Sequence, residues 1–149
     1  MSQLAFTSLP LPVSKKLYAL LNARYSAHLL NNETLSTSRH VVFNFRDKSY
    51  SADAGGFHPV EMSICQSSTG EWCIEYITDF AYIGNYYPEL ELERNLDFDF
   101  RASQCFACYH GWFSMKDNRE AIELYKLWES NFLAYVEMEA FNDITLTPQ

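Results

Sequence analysis

The chain has 149 residues, of which 48% are hydrophobic and 16% aromatic, so it carries enough apolar mass for one folded domain and too much for a disordered segment. Its 19 acids outweigh 11 Lys and Arg, a formal net charge of −8. A surface of that sign repels nucleic-acid phosphates and anionic membrane, which excludes both as expected partners and leaves a basic protein or a cation as the easier charged partner, with plain solubility as the alternative.

The N-terminal stretch MSQLAFTSLPLPVSKK has no basic residue before its apolar part and is broken by Pro10 and Pro12, unlike a signal peptide. Charge-free runs fall short of the ~20 residues that cross a bilayer. The expectation is a soluble, cytoplasmic chain. Val13–Leu30 places Leu17, Leu20, Leu21, Tyr25 and Leu29 near helical spacing, with Ser14 as N-cap and Asn31-Asn32 as the stop.

The period then changes to two. His40–Arg46 sets Val41, Phe43 and Phe45 on one face, and Pro59–Cys65 does the same with Val60, Met62 and Ile64. Ser67-Ser68-Thr69-Gly70 has the composition of a hairpin turn, after which Glu71–Asp79 groups Trp72, Ile74 and Tyr76. Between the first two strands lie Gly55-Gly56, expected to turn at positive φ, and the phrase His58-Pro59-Val60-Glu61. His58 and Glu61 are three apart, so in a strand they face opposite ways and cannot share a ligand. A triad from Cys65, His58 and Asp79 would have to combine distant residues.

Acids concentrate further on. Glu89, Glu91 and Glu93 alternate with leucines, and Asp97 and Asp99 alternate with Leu96, Phe98 and Phe100. A three-residue turn at Arg94-Asn95-Leu96 would fold the two runs into a hairpin that opposes Glu93 to Asp97 and Glu91 to Asp99. Opposed like charges cost up to roughly 1 kcal/mol per pair, which a solvated face, a basic protein or a divalent cation would relieve. The spacing is not that of an EF-hand. These five acids are the candidate partner-binding residues.

Gln104–Phe113 reads as one strand. In it Cys105 and Cys108 diverge, and no second such pair completes a zinc site, so the four cysteines, including Cys65 and Cys73, are expected as reduced thiols. Asn118–Phe141 is the strongest helix, with Asp117 and Glu120 as a capping box and a stripe of Ala121, Tyr125, Trp128, Phe132, Tyr135 and Val136. Helices at the two ends and strands joined by short turns between them define an α+β fold with a mainly antiparallel sheet. No metal, nucleotide or cofactor motif is recognised.

The succession FRDKSYSADAGGFHPVEMSI, then YITDFAY, a glycine, EL and LDFDF resembles the bacterial domain-of-unknown-function family numbered 2787, found in marine bacteria and their mobile genetic islands. The resemblance implies a fold similar to the mitochondrial acidic matrix protein family, whose members are acidic, trimeric binding proteins without established catalysis. It brings no catalytic residues. The leading expectation is therefore a non-enzymatic protein-binding module of a mobile element or genomic island, with self-association open. The alternative is a small enzyme with a site around Gly55–Glu61, which requires a pocket where His58 and a carboxylate converge.

Overall fold

The computed structural model describes residues 4–83 and 91–149. Its elements in chain order are α1 (Lys15–Leu29), a single turn α2 (Thr34–Thr37), β1 (His40–Arg46), β2 (Val60–Gln66), β3 (Trp72–Ile83), β4 (Glu91–Asp99), β5 (Gln104–Ala107), β6 (Gly111–Ser114), α3 (Arg119–Glu137) and β7 (Asp143–Pro148). The strands form one seven-stranded sheet in the order β6-β5-β4-β3-β2-β1-β7, every neighbouring pair antiparallel. The α+β expectation holds.

Local signals explain most of these elements. Ser14 caps α1, its hydroxyl accepting from the Leu17 amide, and Leu17, Leu21 and Tyr25 are buried. β1 buries Val41, Phe43 and Phe45 as its alternation requires. The cap of α3 is Asn118 rather than Asp117: the Asn118 side chain accepts from the Glu120 and Ala121 amides, while Asp117 takes a positive φ of 53° in the preceding turn. The segment from Gln104 is two strands, because Tyr109 and Gly111 at positive φ reverse the chain. α3 stops at Glu137, and the last residues form β7, pairing with β1.

Buried side chains of the two long helices pack into one core with the sheet. Phe132 meets the Phe45 ring edge-on at 5.1 Å, Tyr125 meets Phe98 at 5.1 Å, and Tyr25 lies 6.2 Å from Trp72. Aromatic pairs of this geometry add to the burial term. A carboxylate sits in this layer: Glu129, 6% exposed, accepts from the Tyr125 hydroxyl at 2.6 Å and from the Ser14 amide at 3.0 Å, tying α3 to the start of α1.

Two β-bulges alter the faces of the sheet. The β2–β3 register runs Ser63↔Tyr76 and then Ile64↔Ile74, leaving Glu75 extra. Tyr76 therefore departs from the face of Trp72 and Ile74, and Ile77 takes the buried place. The β3–β4 register runs Asp79↔Leu96 and then Phe80↔Arg94, leaving Asn95 extra. A bulge inserts one residue on one strand and resets which residues share a side.

Candidate functional site: a cleft at His58

Three segments position the cleft. The first is the connection from β1 to β2. Gly55 and Gly56 adopt φ of 73° and 132°, as expected of the double glycine. A Cβ on Gly56 would lie 2.8 Å from Asp47 Oδ2. Its absence lets the Asp47 carboxylate close on the Phe57 amide at 3.1 Å, while the other oxygen takes the Ser49 amide and hydroxyl. Those hydrogen bonds, Ser49 first, hold the Asp47 pKa below its usual value. The loop thus delivers His58 to the entry of β2, where the Phe80 amide bonds to the Pro59 carbonyl.

β3 supplies Asp79, paired with Val60. It sits between Thr78 and Phe80 and is only 8% exposed, and its oxygens are well partnered. His58 Nδ1 is 2.9 Å from Oδ1, and the Asn95 amide donates to the same oxygen at 3.2 Å. The Trp128 indole N–H, from α3, donates to Oδ2 at 3.1 Å. A buried carboxylate with three partners is satisfied. It fixes the imidazole tautomer, with Nδ1 carrying the proton and Nε2 left over. The hydrogen bond to Asp79 raises the His58 pKa above its ordinary 6.5, burial working against it.

Gly56, Phe57, His58, Val60, Asp79, Trp128, Asn131, Phe132, Tyr135 and Phe141 line the cleft, whose volume is about 240 Å³. Beside it Tyr50 packs 5.5 Å from the His58 ring and 5.1 Å from Tyr82, and its hydroxyl accepts from the Tyr82 amide. Tyr50, Tyr82 and Leu92 line an adjoining depression with Arg46 and Lys48.

The sequence-derived sites fare unequally. His58 and Glu61 do face apart: Glu61 accepts from the Tyr76 hydroxyl on the opposite side of the sheet. His58 and Asp79 do converge, as the enzyme alternative required, whereas Cys65 pairs across the strands with Cys73 and does not line the cleft. The acidic hairpin is corrected. Glu91–Asp99 is one continuous strand pairing with β3, so neither Glu93 and Asp97 nor Glu91 and Asp99 oppose each other. Glu89 lies outside the described residues. Glu91 and Glu93 are exposed, while Asp97 is 6% exposed. The Asn95 bulge brings Arg94 to Asp97, Nε to Oδ2 at 3.1 Å, and Arg94 also packs over Phe106 and Trp112. Asp97 Oδ1 finds no hydrogen-bond partner among the described residues, and burial pushes the carboxyl up to about 6 despite Arg94. Asp99 holds the turn that follows, accepting from the Arg101 and Ala102 amides.

Sequence reasoning missed Asn95 and Trp128 as partners of Asp79. One signal was available: an acid inside an apolar strand and an indole on an apolar helix stripe each need a partner once buried. Among the described residues, no group of three or more His, Cys, Asp or Glu could hold a metal ion, and no helix is long and apolar enough to cross a membrane.

An antiparallel sheet with terminal helices and a small cleft between sheet and α3 defines the structural class. Residues 15–147 match the family model "Protein of unknown function (DUF2787)", and the chain belongs to that family. It is 67% identical to the hypothetical protein VC0508 from the VSP-II pathogenicity island of Vibrio cholerae, with a TM-score of 0.90 over 99% of this chain and 100% of that one. It is 56% identical to the conserved hypothetical protein VC1805 from pathogenicity island VPI-2 of Vibrio cholerae, with a TM-score of 0.83 over 95% and 99% of the two chains. That second structure is described as sharing structural homology with the human P32 protein. No curated protein matches the chain.

Proposed function

We propose that the chain is a non-enzymatic protein-binding module of a bacterial genomic island, and that it seats one side chain of its partner in the His58 cleft. The observation that carries this reading is the cleft's size and lining. About 240 Å³ is below the roughly 300–1,000 Å³ of small-molecule and cofactor sites, and suits a single apolar or aromatic side chain. Phe57, Trp128, Phe132 and Tyr135 supply an apolar wall, with His58 and Asn131 as polar groups. A net charge of −8 favours encounter with a basic segment. Glu91 and Glu93 are exposed on β4, on the face opposite the Leu92 side chain that lines the depression, and offer acids to such a segment.

The test is selection from a displayed peptide library on the full chain. Selected peptides are expected to share one apolar anchor next to Lys or Arg. Their affinity should fall by about tenfold or more in Asn131→Trp, which fills the cleft, and less in the Glu91→Gln, Glu93→Gln double variant. Peptides that bind the cleft-filled variant as well as the parent would overturn the assignment.

A second reading is favoured by one observation. The Asp79–His58 arrangement orients Nε2 as a general base. Among the described residues the cleft is lined by no Ser, Thr or Cys, so this base would act on water or on a substrate group. Turnover of any ester, amide or phosphoester substrate that drops by about 100-fold or more in His58→Gln would establish it in place of the binding reading.

A further inference from the structure

Cys65 and Cys73 are directly opposed across β2 and β3, just before the Ser67–Gly70 turn. The Gln66 amide bonds toward β1, to Arg39, and the Ser67 amide bonds to Glu71 across the hairpin. Cys65 therefore points its backbone at β3, and Cys65↔Cys73 is a hydrogen-bonded pair. Such pairs place Cα atoms about 5.5 Å apart with side chains on one face, inside the roughly 4.4–6.8 Å that a disulfide spans. Both thiols are free and half-buried. Each donates to its own strand's next carbonyl, Cys65 Sγ at 3.9 Å from Gln66 O and Cys73 Sγ at 3.5 Å from Ile74 O. Cys105, by contrast, is buried, and Cys108 sits beyond it in a turn.

We propose that Cys65 and Cys73 form a reversible cross-strand disulfide, a modification site on the helix-free face of the sheet. With a small-molecule disulfide as oxidant, one thiolate attacks the disulfide and releases a thiol. The second cysteine then attacks the mixed disulfide, forming the Cys65–Cys73 bond and releasing a second thiol. Two protein thiols are oxidised and one disulfide is reduced to two thiols. Closing the bond at a hydrogen-bonded pair needs the Cβ atoms to approach to about 3.8 Å from the 4.5–5.5 Å usual for cross-strand neighbours. The resulting strain makes the bond easy to reduce, and the Glu75 bulge beside it is where the strands can adjust. Burial, then Glu75 and Cys73, raise the Cys65 pKa, so oxidation is faster at mildly alkaline pH than at neutrality.

The experiment is incubation of the full folded chain with oxidised glutathione at pH 8.5, followed by thiol counting, intact mass and peptide mapping. The expected result is loss of two of the four thiols, a mass lower by about 2 Da, a Cys65–Cys73 linked peptide, and full return on adding excess reduced glutathione. Cys105→Ser should oxidise like the parent, and Cys73→Ser should give only a glutathione adduct. A parent chain that gains glutathione at Cys65 without closing the ring, that links two chains, or that pairs Cys105 with Cys108 overturns the proposal. The parent protein alone decides this, so a variant that fails to fold leaves the result intact.

Discussion

Replacing Asp79 by Asn tests the electrostatic design of the cleft most directly. The carboxylate accepts from His58, Asn95 and Trp128. Trp128 can only donate, so the single oxygen of the substituted amide must stay with the indole. The new NH₂ then faces His58 Nδ1 and the Asn95 amide. Asn95 can turn its amide over, but His58 cannot keep a proton on Nδ1, and the neutral ring must change to the Nε2–H tautomer. With the anion gone, the cause that raised the His58 pKa is removed and burial alone remains, so the value should cross from above 6.5 to below it. The exchange of charge-assisted for neutral hydrogen bonds costs about 1–2 kcal/mol, or a Tm lower by roughly 3–8 °C in a chain of this length. The pH dependence follows from the same shift. In the parent, the folded-state pKa lies above the unfolded one, so the His58–Asp79 attraction is fully present below pH 6.5 and is lost as pH rises through the folded value. In Asp79→Asn that contribution is absent. Nitrogen-detected NMR of the imidazole, with denaturation at pH 5.5 and 8, reads all three effects. An unchanged pKa together with a retained Nδ1–H tautomer would refute the reasoning.

Asp97→Asn should raise stability at pH 8 by roughly 1–2 kcal/mol, since the parent holds a carboxylate with a pKa of about 6 in a buried place. The parent alone should then gain stability as pH falls from about 6 toward 4, and urea denaturation across that range that finds the variant weaker at pH 8 rejects the account. Glu129→Ala strands the Tyr125 hydroxyl and the Ser14 amide. It should cost on the order of 2–4 kcal/mol, with Glu129→Gln costing less; equal losses in chemical denaturation would contradict this. Gly56→Ala meets both a positive φ and the Asp47 carboxylate at 2.8 Å. It should lose about 2 kcal/mol and shift the His58 NMR signals, and an unchanged spectrum would show that the loop does not position the ring.

What is legible in the sequence depends on how local the cause is. β1 is readable because Val41, Phe43 and Phe45 alternate without interruption, and α1 because Ser14, the residue just before it, caps its first turn. β7 is hidden: its six residues carry a mixed pattern, and only pairing with β1 makes them a strand. The acidic hairpin fails because alternation in Glu91–Asp99 is compatible with two short strands or one long one, and the partner that decides, β3, is remote in sequence. His58 meets Asp79 for the same kind of reason. Nothing within the phrase His58–Glu61 announces it, and the β2–β3 register creates it.

The two extra residues in the sheet, Glu75 and Asn95, give length changes a different weight from substitutions. Each is one residue more than its strand's pairing uses. Removing Asn95 would leave Arg94 two residues before Asp97 on one face of a regular strand, so the register with Phe80 and Asp79 and the ion pair would both keep their sides. A one-residue deletion at a paired position of β4 would instead reassign a run of side chains between the helix layer and the open face, and a compensating insertion in the same strand would undo it. In this fold a gap that falls on a bulge residue leaves the faces of the sheet intact, whereas a gap at a paired position turns them over.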